Sequence, residues 1–380
     1  MESNKKYNGI IDLIKFCAAL IIVLHHYQLC TPLRFADINF TVDDPFFCGA
    51  NMVEMFFVIS GFLSVKDIEK THTDRNMFTT FGINRREIDN YLKDRFKKFV
   101  PWTLGSTILS TISKSIYIIC TREVPFGKIG LWNLIIGSIG LNAGLISSSY
   151  EYLPNETLWY ISVLLICNIF CYFLIELIDK YQLPAYYVGV IMCMIGLSIK
   201  YFSINIPILN SITMRGFISF GMGIITKSFL NFINMKKGKK VAIGISIIFI
   251  GIVIMYSYFH SLFNKGQISQ IFQEVILGES QLLWGCMFAP LIVFVVGYWN
   301  KFGDGLHVLK ILGRGFFYLY IWHLPFIYFI KVIMMGNEII NEKYYLIIGY
   351  LLVVICSLIV GKIYNILLSN GLKGIKKYEL

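Results

Sequence analysis

The chain has 380 residues, of which 56% are hydrophobic and only 15% are charged. Soluble domains carry about 25% charged residues, so this chain has too few to cover a water-soluble globule. The same composition excludes a disordered chain, a collagen-like fibre and a disulfide-stabilised scaffold, which leaves a polytopic membrane protein.

A membrane-spanning helix needs about 20 consecutive, mostly apolar residues. The stretches that meet this condition predict an all-α, polytopic membrane helix bundle with about ten transmembrane helices, formed by a single domain over residues 1–380. A further apolar stretch at 131–146 is interrupted by glycines and is predicted to be re-entrant or interfacial. The ten predicted spans are roughly 10–30, 46–65, 97–120, 156–178, 184–204, 210–230, 241–259, 281–298, 309–333 and 344–368.

The distribution of Lys and Arg predicts the orientation of these spans. With the N-terminus in the cytoplasm, the internal segments hold roughly three times as many basic residues as the external ones, as the positive-inside rule requires. An even number of spans then places both termini in the cytoplasm. The net charge of +11 is explained by this orientation, and no nucleic-acid partner is expected.

The nine cysteines include no CxxC motif and no spacing with histidine that is typical of a metal site. Most lie in apolar stretches, where Cys packs as a small hydrophobic residue. Cys30 and Cys48 flank one predicted external loop, and the sequence leaves open whether they pair.

Ionisable side chains inside membrane spans are costly and usually mark function. In the first span, Lys15 and His26 are eleven residues apart, so they lie within roughly 20° on one helix face and about 16 Å apart along the axis. This spacing suits an elongated ligand with an anionic end at Lys15 and a reactive end at His26. Asp12 can reach Lys15 as a helical neighbour. Alternatively, Lys15 extends to the membrane surface and His26 bonds a neighbouring helix.

Other spans contribute two more candidates for the reaction centre. Glu54 in the second span is expected at a depth similar to that of His26, where a carboxylate can orient an imidazole and stabilise its protonated form. Alternatively, Glu54 faces a hydrated external vestibule. His323 lies in the middle of the ninth span and is either functional or a structural hydrogen-bonding group. The remaining ionisable candidates are His25, Arg215 and Arg314 inside spans, and Lys114, Lys227 and Lys362 near span ends, where the three lysines are expected to extend to the membrane surface.

A basic amphipathic helix is predicted to run from Arg85 into the third span. It carries Arg86, Arg95 and Lys98 on the predicted cytoplasmic side. These cations can hold the phosphates of a nucleotide through charge-assisted hydrogen bonds.

Four motifs occur in order along the chain: Ile11-Asp12-x-x-Lys15 with His26, the run Phe-Phe-Val-x-Ser-Gly-Phe-Leu at 56–63, Arg95-x-x-Lys98-x-x-Pro101, and Leu312-Gly313 with Tyr320-x-x-His323. Together they resemble the bacterial integral-membrane acyltransferase 3 family. The chain departs from the family pattern in three places: Lys98 replaces the commoner Arg, Phe316-Phe317 stand where Ser-Tyr is frequent, and no carboxylate follows Trp159 where many members have one. The Trp159-Tyr160 form is similar to stand-alone sugar acetyltransferases.

The resemblance implies a multi-pass O-acyltransferase of the bacterial inner membrane. Its donor is expected to be cytosolic acyl-CoA, in particular acetyl-CoA, and its acceptor a hydroxyl of a cell-surface or lipid-linked glycan. No tightly bound cofactor and no metal are expected; the lipid bilayer and glycan-biosynthesis proteins are the expected partners. His26 is the expected general base, with Glu54 orienting it and His323 second in rank. Lys15, Arg86, Arg95 and Lys98 are expected to hold the CoA phosphates.

Two other functions fit the same residues. Buried Lys, His and Glu also form proton relays in a transporter or flippase. A non-enzymatic membrane scaffold or sensor would tolerate polar replacement of His26. Neither alternative would consume acetyl-CoA, so an assay of its consumption separates them from an acyltransferase.

Overall fold

The computed structural model describes residues 9–30, 49–73, 85–121, 131–140, 154–181, 183–236, 307–335 and 342–378, together with 244, 248 and 251. Within these ranges the chain is helical and has no strand beyond an isolated bridge between Ile206 and Leu209, which confirms the all-α prediction. The helices are α1 (Gly9–Cys30), α2 (Gly49–Thr73), α3 (Arg85–Thr121), α4 (Leu131–Ser138), α5 (Trp159–Lys180), preceded by a 3₁₀ turn at Glu156–Leu158, α6 (Tyr186–Tyr201), α7 (Ser211–Lys236), α8 (His307–Met335) and α9 (Glu342–Tyr378).

Five helical segments in the described ranges are long and apolar enough to cross a membrane. Two shorter apolar helices, Asn51–Ser64 and Tyr186–Tyr201, correspond to the second and fifth predicted spans. The predicted spans 241–259 and 281–298, and Cys48, lie outside the described residues apart from three single positions. The count of ten crossings and the orientation therefore stay predictions. The five segments are Gly9–Cys30, Lys93–Thr121, Glu156–Ile175, Ile311–Met334 and Leu346–Asn370.

Helix α3 is continuous from Arg85 to Thr121, so the predicted basic helix does run into the third span. Pro101 lies inside it. Its ring removes one backbone donor, which transmembrane helices tolerate where neighbouring groups satisfy the backbone. The carbonyl that loses its helical donor is that of Lys97. The Pro101 carbonyl itself accepts the hydroxyl of Tyr364 from α9 at 2.6 Å, which ties α9 to α3.

The chain divides into two compact units. The first unit comprises Met1–Ile11, Val53–Asn90 and Val163–Leu306, and the second comprises Asp12–Met52, Tyr91–Ser162 and His307–Leu380.

In the first unit, glycines allow α7 to pack closely on two neighbours. A Cβ at Gly61 of α2 would overlap the Phe220 carbonyl oxygen, and one at Gly223 would overlap the Val58 carbonyl oxygen. At the contact with α6, a Cβ on Gly221 would lie 2.6 Å from the Gly189 carbonyl oxygen. Small residues let membrane helices approach closely, and such packing matters because no hydrophobic force drives helices together in lipid.

In the second unit, aromatic rings fill the space between α3, α8 and α9. Trp102 stacks on Tyr318 with ring centroids 5.5 Å apart, and Tyr364 contacts both Trp102 and Trp322 edge to face. Such pairs stabilise a core beyond the area that they bury. They fix α8, which carries His323, against α3.

Candidate active site

Two histidines that are 297 positions apart in the sequence meet in the second unit. Nε2 of His323 lies 3.2 Å from Nδ1 of His26, and the ring centroids are 5.0 Å apart. His323 is fully buried, and His26 is half-buried. The structure thus brings together two of the three residues predicted for catalysis.

Backbone carbonyls determine which ring nitrogens of this pair carry hydrogen. Nδ1 of His323 lies 2.9 Å from the Leu319 carbonyl oxygen, and Nδ1 of His26 lies 3.0 Å from that of Ile22. A carbonyl only accepts, so each Nδ1 must be the donor. In the neutral pair, His323 Nε2 then accepts from His26 Nδ1, and His26 Nε2 keeps its lone pair. That nitrogen is the one able to remove a proton from a substrate.

The proline that follows His323 leaves a backbone carbonyl to be satisfied. Pro325 has no N–H, so the Ile321 carbonyl lacks its usual helical donor. Ser106 of α3 donates its hydroxyl to this oxygen at 2.7 Å, and the Asn155 side-chain amide approaches it at 3.5 Å. The same amide donates to Ser106 Oγ at 2.7 Å. Helix α8 is therefore held at the height of His323 by side chains from two other elements.

Glu54 is fully buried in the first unit and bonded through both carboxylate oxygens. Oε1 accepts from Nε of Arg215 at 2.6 Å, and Oε2 accepts from the Ser219 hydroxyl at 2.5 Å. Arg215 and Ser219 are one turn apart on α7, so a single helix supplies both donors. In the sequence, Arg215 stands out only as an ionisable residue inside a span, and Ser219 carries no signal that distinguishes it from other serines. The predicted pairing of Glu54 with His26 stays a prediction.

Lys15 forms the ion pair that its spacing from Asp12 predicts. Its ammonium lies 2.5 Å from Asp12 Oδ1 and 4.6 Å from the centre of the Phe316 ring. A Cβ at Gly313 would collide with the Asp12 carboxylate, so glycine is needed where α8 passes this pair. Lys15 is therefore a fixed cation, oriented by a carboxylate and an aromatic face.

The predicted donor-binding cations of α3 differ in exposure. Lys98 is exposed, with its ammonium 5.6 Å from the centre of the Phe99 ring, and Arg95 is half-buried. The Phe99 ring contacts the Phe317 ring, with centroids 6.4 Å apart. Phe317 is the next residue after Phe316, whose ring lies under the Lys15 ammonium. The backbone of Arg86 belongs to α3, but its side chain lies outside the described residues. Lys15 and Lys98 are thus linked by ring contacts that run from Phe316 through Phe317 to Phe99. The Phe316-Phe317 pair is one of the three places where the chain departs from the family pattern.

Lys114 was expected to extend to the membrane surface, and this prediction is wrong. Its side chain is fully buried, and its ammonium lies 2.5 Å from Oε1 of Glu156 and 5.2 Å from the centre of the Tyr328 ring. Spacing from the span end does not reveal the partner, because Glu156 comes from a different element.

Within the described ranges, no group of three or more His, Cys, Asp or Glu could hold a metal ion.

Comparison with known proteins supports the resemblance that the motifs carry. The sequence profile of the acyltransferase 3 family, described as an acyltransferase domain, matches residues 8–362. Among curated proteins and among solved structures, nothing matches the chain.

Proposed function

Since the chain belongs to the acyltransferase 3 family, we propose that it is an O-acetyltransferase acting on a glycan. The donor is cytosolic acetyl-CoA, and the acceptor is a hydroxyl of a cell-surface or lipid-linked glycan. Family membership supports acyl transfer and a multi-pass membrane protein. The observation that carries the chemistry is the hydrogen-bonded pair of His26 and His323.

In this proposal, His26 is the general base. Its Nε2 takes the proton of the acceptor hydroxyl while the hydroxyl oxygen bonds to the carbonyl carbon of the thioester. The carbon–sulfur bond then breaks and CoA leaves as a thiolate. The proton passes from His26 to the sulfur of this thiolate. His323 Nε2 and the Ile22 carbonyl accept from His26 Nδ1, so they stabilise the imidazolium in the role usually given to a carboxylate.

The donor site is proposed at the other end of the first span. Lys15 is about 16 Å from His26 by the helix rise, which leaves room for an extended pantetheine arm between the phosphates and the thioester. Arg86, Arg95 and Lys98 supply further positive charge from α3. Asp12 orients Lys15 and competes with phosphate for it, so the lysine would be released only to a strongly anionic ligand.

The test separates chemistry from donor binding. His26→Ala should lower the rate of acetyl transfer by about 10²- to 10⁴-fold, the usual contribution of a general base. Acetyl-CoA affinity should be unchanged, because the phosphates lie far from the imidazole. Both quantities are measured on purified full-length protein, with radiolabelled acetyl-CoA and at matched expression.

His25→Ala is the matched control. The His25 side chain packs against the start of α2, where a Cβ at Gly49 would lie 2.5 Å from the His25 Cβ, and its ring meets His26 edge to face. This variant should keep substantial turnover. Normal transfer by His26→Ala, or loss of transfer in His25→Ala alone, would contradict the assignment of the base. A transporter or scaffold would consume no acetyl-CoA at all.

A further inference from the structure

A charged pair that the proposed reaction does not use lies in the same unit as the two histidines. Glu156 belongs to the 3₁₀ turn before α5, and Lys114 belongs to α3. The next residue of the turn, Thr157, accepts the Tyr320 hydroxyl through its carbonyl, and the Tyr320 ring lies 6.2 Å from that of His323. The turn that carries Glu156 is therefore anchored one helical turn of α8 from His323.

The turn itself is rigid, because Asn155 organises it. Asn155 Oδ1 accepts from the Thr157 amide at 3.1 Å and from the Thr157 hydroxyl at 2.6 Å. Its side-chain amide donates to Ser106, as described above. Since all three of these residues are buried, Glu156 projects from a fixed backbone.

The two members of the pair differ in exposure, which decides what a ligand can meet. The Lys114 side chain is fully buried, whereas that of Glu156 is 25% exposed. An incoming molecule therefore meets the carboxylate and not the ammonium. Ser110, one turn before Lys114, adds a buried hydroxyl that has no hydrogen-bond partner among the described residues.

The pair lies far from the proposed donor cations. Lys98 and Lys114 are sixteen residues apart on α3, which corresponds to about 24 Å along a helix. This distance approaches the thickness of the hydrocarbon core, about 30 Å. The position of the pair thus favours the second substrate over CoA.

We propose that Glu156, held in place by Lys114, binds the acceptor, and that the acceptor is an uncharged, hydroxyl-rich sugar. The carboxylate accepts hydrogen bonds from hydroxyls, and it repels a carboxylate or phosphate at the same position. The inference rests on the proposed acetyl transfer, since it assigns the second substrate of the same site. Many family members have a carboxylate after the residue that corresponds to Trp159, and this chain lacks it. Glu156 places a carboxylate three residues before Trp159 instead.

The experiment must separate binding from folding. Removing Glu156 alone would leave a buried ammonium without its counter-ion, which is strongly destabilising, whereas replacing both members by apolar residues is often tolerated. The test therefore uses Lys114→Met with Glu156→Leu in the full-length protein. Lys114→Met with Glu156→Gln is the conservative variant, because the amide retains an oxygen that accepts a hydrogen bond.

The probes are methyl glycosides of glucose, galactose and mannose, each paired with its uronic acid counterpart. Wild-type protein should acetylate neutral members with a kcat/KM about tenfold or more above that of the acids. The Met/Leu variant should raise the acceptor KM by about tenfold to a hundredfold, the equivalent of one charged hydrogen bond. Its KM for acetyl-CoA should be unchanged, and the Met/Gln variant should be intermediate.

Lys227→Met is the matched control for the loss of a buried lysine. Lys227 lies in the first unit, 9% exposed and 5.3 Å from the centre of the Phe62 ring, so the expectation that it extends to the membrane surface is also wrong. Its loss should leave both KM values unchanged. An unchanged acceptor KM in the Met/Leu variant would overturn the binding role. Preference for the uronic acids, or acetyl-CoA consumption without acetylation of any neutral glycoside, would overturn the substrate class. If the wild type consumes no acetyl-CoA, the proposed function fails instead.

Discussion

Both histidines of the site are held by a carbonyl from their own helix, four residues earlier. Neither ring depends on a long side chain for its position, so the pair is oriented before a substrate arrives. Such preorganisation lowers the cost of reaching the transition state, because the rings need not be ordered during the reaction. The residue that completes the pair, His323, should therefore matter for rate more than for binding.

His323→Ala should reduce the rate less than His26→Ala does. It removes one acceptor from His26 Nδ1 and leaves the Ile22 carbonyl, a loss of about 1–3 kcal/mol or roughly 5- to 150-fold in rate. His323→Gln offers an amide oxygen to the same hydrogen and should recover part of the rate. Single-turnover acetyl transfer measures the effect. A His323→Ala enzyme with wild-type rate would show that the pair is only structural.

Arg95→Ala should weaken acetyl-CoA binding by about 1.5–3 kcal/mol, the contribution of a charged hydrogen bond. Its turnover at saturating donor should be nearly normal, since the phosphates are far from the reacting atoms. Lys97→Ala, which removes an exposed cation from the same turn, is the control. Equal donor affinities in the two variants would place the phosphate site elsewhere.

Single residues were also where prediction from sequence reached its limit. The ion pair of Asp12 with Lys15 could be predicted, because both belong to one helix and its geometry is known. The pairs of His26 with His323 and of Lys114 with Glu156 join different elements, and no local spacing encodes them. Lys114 was misjudged for this reason: its distance from a span end suggested contact with the membrane surface, whereas a partner from another element keeps it buried.

At the scale of elements, apolar length was a sufficient guide to most described helices. The predicted stretch 309–333 corresponds to α8, and 344–368 lies within the longer α9. Hydropathy could not predict which group hydrogen-bonds the carbonyl of α8 that the proline leaves without a backbone donor. Ser106 is an ordinary serine in sequence, and its role follows only from the Ile321 carbonyl that Pro325 leaves without a donor.

The hydrogen bond from Ser106 to the Ile321 carbonyl predicts an energetic coupling between α3 and α8. Ser106→Ala should destabilise the protein by about 1–3 kcal/mol, because it leaves a buried carbonyl poorly satisfied. In a Pro325→Ala background the new backbone amide at position 325 can donate to Ile321, so the same substitution should cost much less. Unfolding free energies in detergent for the four proteins give the coupling energy directly. Additive effects would show that Ser106 acts independently of the proline.

At the scale of the whole molecule, the proposed reaction requires access from two sides. Acetyl-CoA is made available in the cytoplasm, whereas a surface glycan is presented on the opposite face. Helix α3 carries Lys98 near one end of its candidate span and Lys114 near the other. The direction in which α3 crosses therefore determines whether the proposed donor and acceptor sites face the correct compartments.

Cysteine labelling tests this direction. A cysteine introduced in the segment 74–84, before α3, should react with a membrane-impermeant maleimide only after the membrane is permeabilised. One introduced near Asp43, in the predicted external loop, should react in intact cells. The physical reason is the excess of Lys and Arg on the predicted internal side. Because Cys17 and Cys120 are exposed, and Cys30 and Cys48 flank the predicted external loop, all four must first be replaced by serine, and acetyl-CoA consumption checks that this background remains active. Labelling in the opposite pattern would place Lys98 outside, where no acetyl-CoA is supplied, and would contradict the donor site at α3 while leaving the histidine pair untouched.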